Sequence, residues 1–88
     1  MKVEFLAKFL KDLDKLSSQA VKNDVLAAIE NIEQAQKTTD IQNLKKLKGS
    51  KIAYRVRIGD YRIGLFIENH TVEFARVVHR KDIYKLFP

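Results

Sequence analysis

Two hydrophobic periods divide this chain. Lys2-Val3-Glu4-Phe5 alternates and predicts a short first strand. From there Phe5, Leu6, Phe9, Leu10, Leu13 and Leu16 recur at helical spacing, with Lys8, Lys11, Asp12 and Lys15 on the other side. Ser17-Ser18 interrupts the pattern and offers an N-cap for a second helix. The stripe of that helix is Val21, Val25, Ala28, Ile29, Ile32 and Ala35, a Glu33–Lys37 pair adds weak support, and Thr38-Thr39-Asp40 ends it. Between Ile41 and Lys48 the pattern fits either one helical turn, through Ile41, Leu44 and Leu47, or an extended connection. Past the Gly49-Ser50 turn the period is two. Tyr54, Val56 and Ile58 alternate with Arg55 and Arg57, and Tyr61, Ile63, Leu65 and Ile67 with Arg62, Gly64, Phe66 and Glu68. Gly59-Asp60 suits a type II′ hairpin turn, and Asn69-His70 turns the chain into a further strand, Thr71 to His79. Residues 80–87 hold one last helical turn.

These elements predict a single two-layer α+β domain over residues 1–88. It comprises an N-terminal strand, a helical hairpin, a three- to four-stranded antiparallel sheet and a short C-terminal helical turn. With both helices on one sheet face, the other face is left open for function. Eighty-eight residues support one hydrophobic core. The absence of cysteine excludes disulfides and thiolate metal sites, and two histidines make a poor zinc set, so no metal or other cofactor is expected. No apolar run is long enough to span a membrane, and Lys8, Lys11 and Asp12 break up any signal-peptide core. The expected location is the cytoplasm, with no membrane partner.

Charge sharpens this picture. Residues 1–44 carry six Lys, no Arg and seven acidic residues, a net −1; residues 45–88 carry eleven basic and four acidic residues, a net +7. Such segregation gives one basic face, suited to a polyanion or an acidic partner. Strand alternation sends Arg55, Arg57 and Arg62 together to the open face. Arginines packed this closely repel unless an anion lies among them, and their planar forks match a phosphate. Taken singly, each residue has a plainer reading. Tyr54 and Tyr61 belong to the core, His70 is exposed in a turn, and Phe66, which could stack on a base, more simply awaits cover by a partner or the chain terminus. The facing of Arg76 is open, and the lysines at 45, 46 and 48 form a solvated run or track a nucleic-acid backbone.

Three segments, in order, are Leu47-Lys48-Gly49, Tyr54-Arg55-Val56-Arg57-Ile58-Gly59-Asp60-Tyr61-Arg62-Ile63 and Val77-Val78-His79-Arg80-Lys81-Asp82-Ile83-Tyr84. Together they resemble the RelE/ParE superfamily of toxins from type II toxin–antitoxin systems, with the RelE-like branch favoured. The resemblance implies an endoribonuclease that cleaves mRNA on the ribosome without a metal, through attack of a 2′-hydroxyl on the adjacent phosphate. It implies that Arg62 and Arg80 stabilise that phosphate, that Tyr84 stacks on a base, and that Arg55 and Arg57 bind RNA with Lys48, Lys51 and Lys81. Some RelE-like proteins carry lysine where this chain has Arg55 and Arg57, and arginine does not give up its proton. The acid–base work then falls to Tyr84, to His79, or to Lys48, Lys51 or Lys81; a structural role for His79 is the competing reading. Expected partners are a cognate antitoxin, mRNA and the ribosome. Two alternatives stand beside this one: a ParE-like inhibitor of DNA gyrase without nuclease activity, and a basic RNA-binding module without catalysis.

Overall fold

The computed structural model describes residues 1–88. Strand β1 (Lys2–Phe5) leads into helices α1 (Ala7–Lys15) and α2 (Gln19–Gln34), and a 3₁₀ turn spans Thr38–Asp40. Strands β2 (Leu44–Lys46), β3 (Ala53–Ile58), β4 (Tyr61–Glu68) and β5 (Thr71–His79) follow, then a short helix, α3 (Ile83–Leu86). One sheet has the order β1-β5-β4-β3-β2. Only β1 runs parallel to its neighbour, β5; the other pairings are antiparallel. The sheet therefore has five strands, where the sequence pattern predicts three to four. The added one is β2, whose Leu44, Lys45 and Lys46 lie opposite Val56, Arg55 and Tyr54.

Local chemistry explains most boundaries. Ser18 Oγ accepts the Val21 N–H at 3.3 Å and caps α2 as expected. That helix ends at Gln34, earlier than its pattern suggested. Ala35 turns extended and is buried, and the Asp40 carboxylate takes the Gln36 N–H at 3.3 Å. Thr38–Asp40 thus forms a separate turn, and Lys37 cannot act as a helical partner of Glu33. Gly59 has φ +54° and Asp60 is not left-handed, as a type II′ turn requires, whereas Asn69 and His70 are both left-handed.

The inner face of the sheet meets the two helices. Phe9, Val25 and Ile32 pack there with Val56, Ile63, Leu65, Val72, Phe74 and Val77. A bulge resolves the facing of β5. Gly64 lies opposite Arg76 but Leu65 lies opposite Phe74, so Ala75 is the extra residue. Phe74 and Val77 then both face inward, and Arg76 reaches Asp12 of α1, whose carboxylate accepts from Nε at 2.7 Å and from a terminal guanidinium nitrogen at 3.1 Å. Asp12 also accepts the Val77 N–H at 3.1 Å, beyond the point where β1 stops pairing with β5.

The outer face is only half open, which corrects the expectation of a bare face. Leu47, Ala53, Ala75, Ile83 and Phe87 form a second, smaller core there, with Phe66 and Val78 against it. The C-terminal segment supplies the cover that Phe66 needed: its ring lies 5.0 Å from that of Phe87. What stays uncovered on this face is its arginine end.

Candidate functional site

Strand register assembles that end. The two-residue turn fixes Arg57 directly opposite Arg62, while Arg55 lies opposite Gly64 on one side and Lys45 on the other. Because Tyr54, Val56 and Ile58 pack toward the helices, Arg55 and Arg57 project outward. The Arg62 guanidinium folds back over its own turn and donates to the carbonyls of Gly59, at 2.8 Å, and Tyr61, at 2.9 Å. Arg55 donates to the Asn43 carbonyl at 3.0 Å. Arg80 joins from the end of β5. Its N–H donates to the Asp60 carbonyl at 2.7 Å, and its Nε lies 3.9 Å from the Asp60 carboxylate. That exposed ion pair is the one salt bridge made by these four arginines, and it adds little stability.

Helix α3 then carries Tyr84, 67% exposed, to the same region. Burial lowers the pKa of Arg62, and so do the charges of Arg55, Arg57 and Arg80; the Tyr84 phenol opposes them. Four arginines thus form a single electrostatic unit centred on Arg62, with Tyr84 beside it. A cavity of about 350 Å³ lies between Asn43, Leu44, Lys45, Arg55 and Arg57. A second, also about 350 Å³, is lined by Lys45, Lys46, Lys48, Tyr84 and Phe87, among others. Lys45 borders both, and no acidic side chain lines either.

Of the residues singled out in the sequence, Arg55, Arg57, Arg62, Arg80 and Tyr84 come together, and Lys48 reaches the Tyr84 cavity. Lys51, before β3, and Lys81, in the turn after β5, are exposed at the periphery. His79 is elsewhere. It lies opposite Tyr61, edge-on to that ring with centroids 5.6 Å apart, and its Nδ1 accepts the Lys81 N–H at 3.2 Å. Since Tyr61 packs on the helix-side core, His79 faces away from the arginines, the side that strand alternation assigns it. Sequence reasoning missed Lys45 as a neighbour of Arg55, because recognising it requires knowing that β2 pairs with β3. No three His, Cys, Asp or Glu side chains cluster closely enough to hold a metal ion, and no helix is long and apolar enough to cross a membrane.

Residues 3–84 match the family described as the ParE toxin of the type II toxin–antitoxin system parDE. Toxin RelE3 of Methanocaldococcus jannaschii is 38% identical over the full length of both chains. The chain belongs to the RelE/ParE toxin superfamily. It is a toxin of the type II toxin–antitoxin class, similar in structure to the toxin of the RelB–RelE complex from Methanococcus jannaschii (TM-score 0.81, 34% identity, 97% of this chain and 99% of that one). The archaeal RelE–RelB complex of Pyrococcus horikoshii shares the RelE-like fold (TM-score 0.74, 21% identity, 93% and 97% covered). In this RelE/ParE chain the arginines occupy the half of the outer sheet face that the C-terminal segment leaves bare, and Tyr84 is exposed on that segment.

Proposed function

We propose that this toxin is an endoribonuclease that cuts mRNA on the ribosome, and that a cognate antitoxin holds it inactive in the cytoplasm until released. One observation carries the reading: four arginines converge around Arg62 with a single weak ion pair among them, and Tyr84 stands beside them. A site organised for an anion has that electrostatic form. The full-length likeness to a RelE toxin supports the ribonuclease branch, and solved relatives described as RelB–RelE antitoxin–toxin complexes support the antitoxin partner.

The chemistry follows from the side chains. A ribose 2′-oxygen attacks the adjacent phosphorus; the O2′–P bond forms and the P–O5′ bond breaks, leaving a cyclic phosphate and a 5′-hydroxyl. Negative charge grows on the non-bridging oxygens, and Arg57, Arg62 and Arg80 are placed to stabilise it. Arg62 enters that step already oriented by two carbonyls, so little ordering remains to be done. Arginine keeps its proton, so the transfer from the 2′-hydroxyl to the leaving 5′-oxygen falls to Tyr84, with Lys48 across the same cavity. The exposed Tyr84 ring also offers a base a stacking surface. Lys45, Arg55, Lys51 and Lys81 extend the basic track for the flanking phosphates.

The deciding experiment is mRNA cleavage in a purified translation system, comparing the native chain with Arg80→Ala and Tyr84→Ala. Discrete cuts by the native protein, reduced by about 100-fold or more in both variants, are expected. Intact mRNA and unaffected translation would sink the proposal. The matched family is described as ParE, which favours gyrase inhibition as the second reading, tested by DNA supercoiling.

A further inference from the structure

Gly64 faces outward from the middle of β4, between Arg62 and Phe66, at a place where a strand ordinarily carries a side chain. A Cβ there would lie 2.6, 2.7 and 2.9 Å from three atoms of the Phe87 ring. The missing side chain is therefore the seat of that ring. Phe87 cannot simply swing aside, because it is buried, with Phe66 against it and Ile83 fully buried in the same cluster. Its N–H donates to the Ile83 carbonyl at 2.8 Å, so the ring and the single turn carrying Tyr84 move together. The start of that turn is fixed by the Asp82 N–H on the His79 carbonyl at 2.8 Å.

We infer that Gly64 is a positioning residue: it seats Phe87 on the sheet, and Phe87 in turn fixes Tyr84 beside Arg62. The functional half of this inference rests on the ribonuclease reading. It makes the apolar half of the outer face a mount for the polar half, joined through a helix of four residues. A displacement of about 1 Å at a reacting group is enough to lower a rate about 100-fold. A methyl group at residue 64 forces a shift on that scale, while Arg55, Arg57 and Arg62 stay on strands held by their own ladder.

The test compares the native chain with Gly64→Ala, Phe87→Ala and Tyr84→Ala, and with the Gly64→Ala/Tyr84→Ala pair. Gly64→Ala is expected to lower the cleavage rate about 100-fold while the salt dependence of RNA affinity, set by the arginines, stays that of the native chain. Because Gly64 acts through Tyr84, the double variant should be no worse than the poorer single one. Additive losses, or native cleavage by Gly64→Ala, would overturn the inference. Phe87→Ala leaves the strand untouched and should reproduce the loss even if Gly64→Ala folds poorly.

Nuclear magnetic resonance provides a readout without substrate. The Gly64 α-protons should lie upfield under the Phe87 ring and return to ordinary values in Phe87→Ala, with Tyr84 ring signals moving in both Gly64→Ala and Phe87→Ala. Tyr84 signals unmoved in these two variants would refute the positioning whatever the activity. A native chain that cuts no RNA, with these shifts as expected, would remove the ribonuclease reading and leave the mount standing.

Discussion

Arg57 and Arg62 stand directly opposite each other on β3 and β4, and neither has a carboxylate in ion-pair range. Like charges across an antiparallel pair destabilise it by about 0.2–1 kcal/mol. Burial and the neighbouring arginines disfavour the charged form of Arg62. Its charge thus detracts from stability at every pH below its own titration, which lies above the range in which proteins are handled. Bound anion, rather than pH, is the means of relief. Arg57→Gln is therefore expected to unfold at higher urea than the native chain in low salt, by about 0.5 kcal/mol. Inorganic phosphate should stabilise the native protein more than the variant. A variant less stable than the native chain, with the same response to phosphate, would show that the pair is not strained.

A second expectation concerns salt. Five cations, Lys45, Arg55, Arg57, Arg62 and Arg80, line the cavity at Asn43 or belong to the arginine cluster beside it. Affinity for single-stranded RNA should fall with a log–log salt slope of about −3.5, and Arg55→Ala should make the slope shallower by about 0.7. Fluorescence anisotropy over a salt series measures both. A slope unchanged in Arg55→Ala would place the RNA elsewhere.

Asp12 and Arg76 form a largely buried pair far apart in sequence, with side chains 11% and 17% exposed. The hydrogen bond between them raises the Arg76 pKa against the opposing effect of burial. Asp12→Ala leaves a buried guanidinium and the Val77 N–H without their partner. It should lower unfolding stability by about 3 kcal/mol in a urea titration. Cleavage per folded molecule should be preserved, since the pair lies away from the arginine cluster; a loss of under about 1 kcal/mol would mean that water replaces the carboxylate.

What was legible in the sequence was local. The Ser18 cap, the stripe of α2 and the Gly59-Asp60 turn depend on residues within a few positions of one another, and strand alternation alone sends Arg55, Arg57 and Arg62 to one face. Arg80 and Tyr84 lie in a turn and a four-residue helix with no period of their own, so only the family resemblance marked them. Strand β2 was hidden because Leu44-Lys45-Lys46 has no alternation and is a strand only by pairing with β3. The cover over Phe66 was equally hidden, since it depends on Phe87 meeting a glycine far back in the chain.

His79 separates position from chemistry. It adjoins Arg80 in sequence but packs against Tyr61 on the other side of the sheet. His79→Gln, which retains an acceptor for the Lys81 N–H, should cleave RNA with far less than the roughly 100-fold loss that removal of a general base produces. Its rate should also show no altered dependence between pH 5 and 8. A large loss with a displaced pH profile would return His79 to the reaction.

The parallel pairing of β1 with β5 has a consequence for the order of events in synthesis. Residues 2–5 find their sheet neighbour only at residues 71–74, and Phe5 stacks on Phe74 with ring centroids 5.1 Å apart. Until then the first strand has no ladder and α1 has no floor, so closing the domain must wait for contacts across almost the whole chain. Arg80 and Tyr84 follow later still. The cluster that Arg80 and Tyr84 complete is thus assembled only on a sheet whose edge strand closes through contacts far apart in sequence.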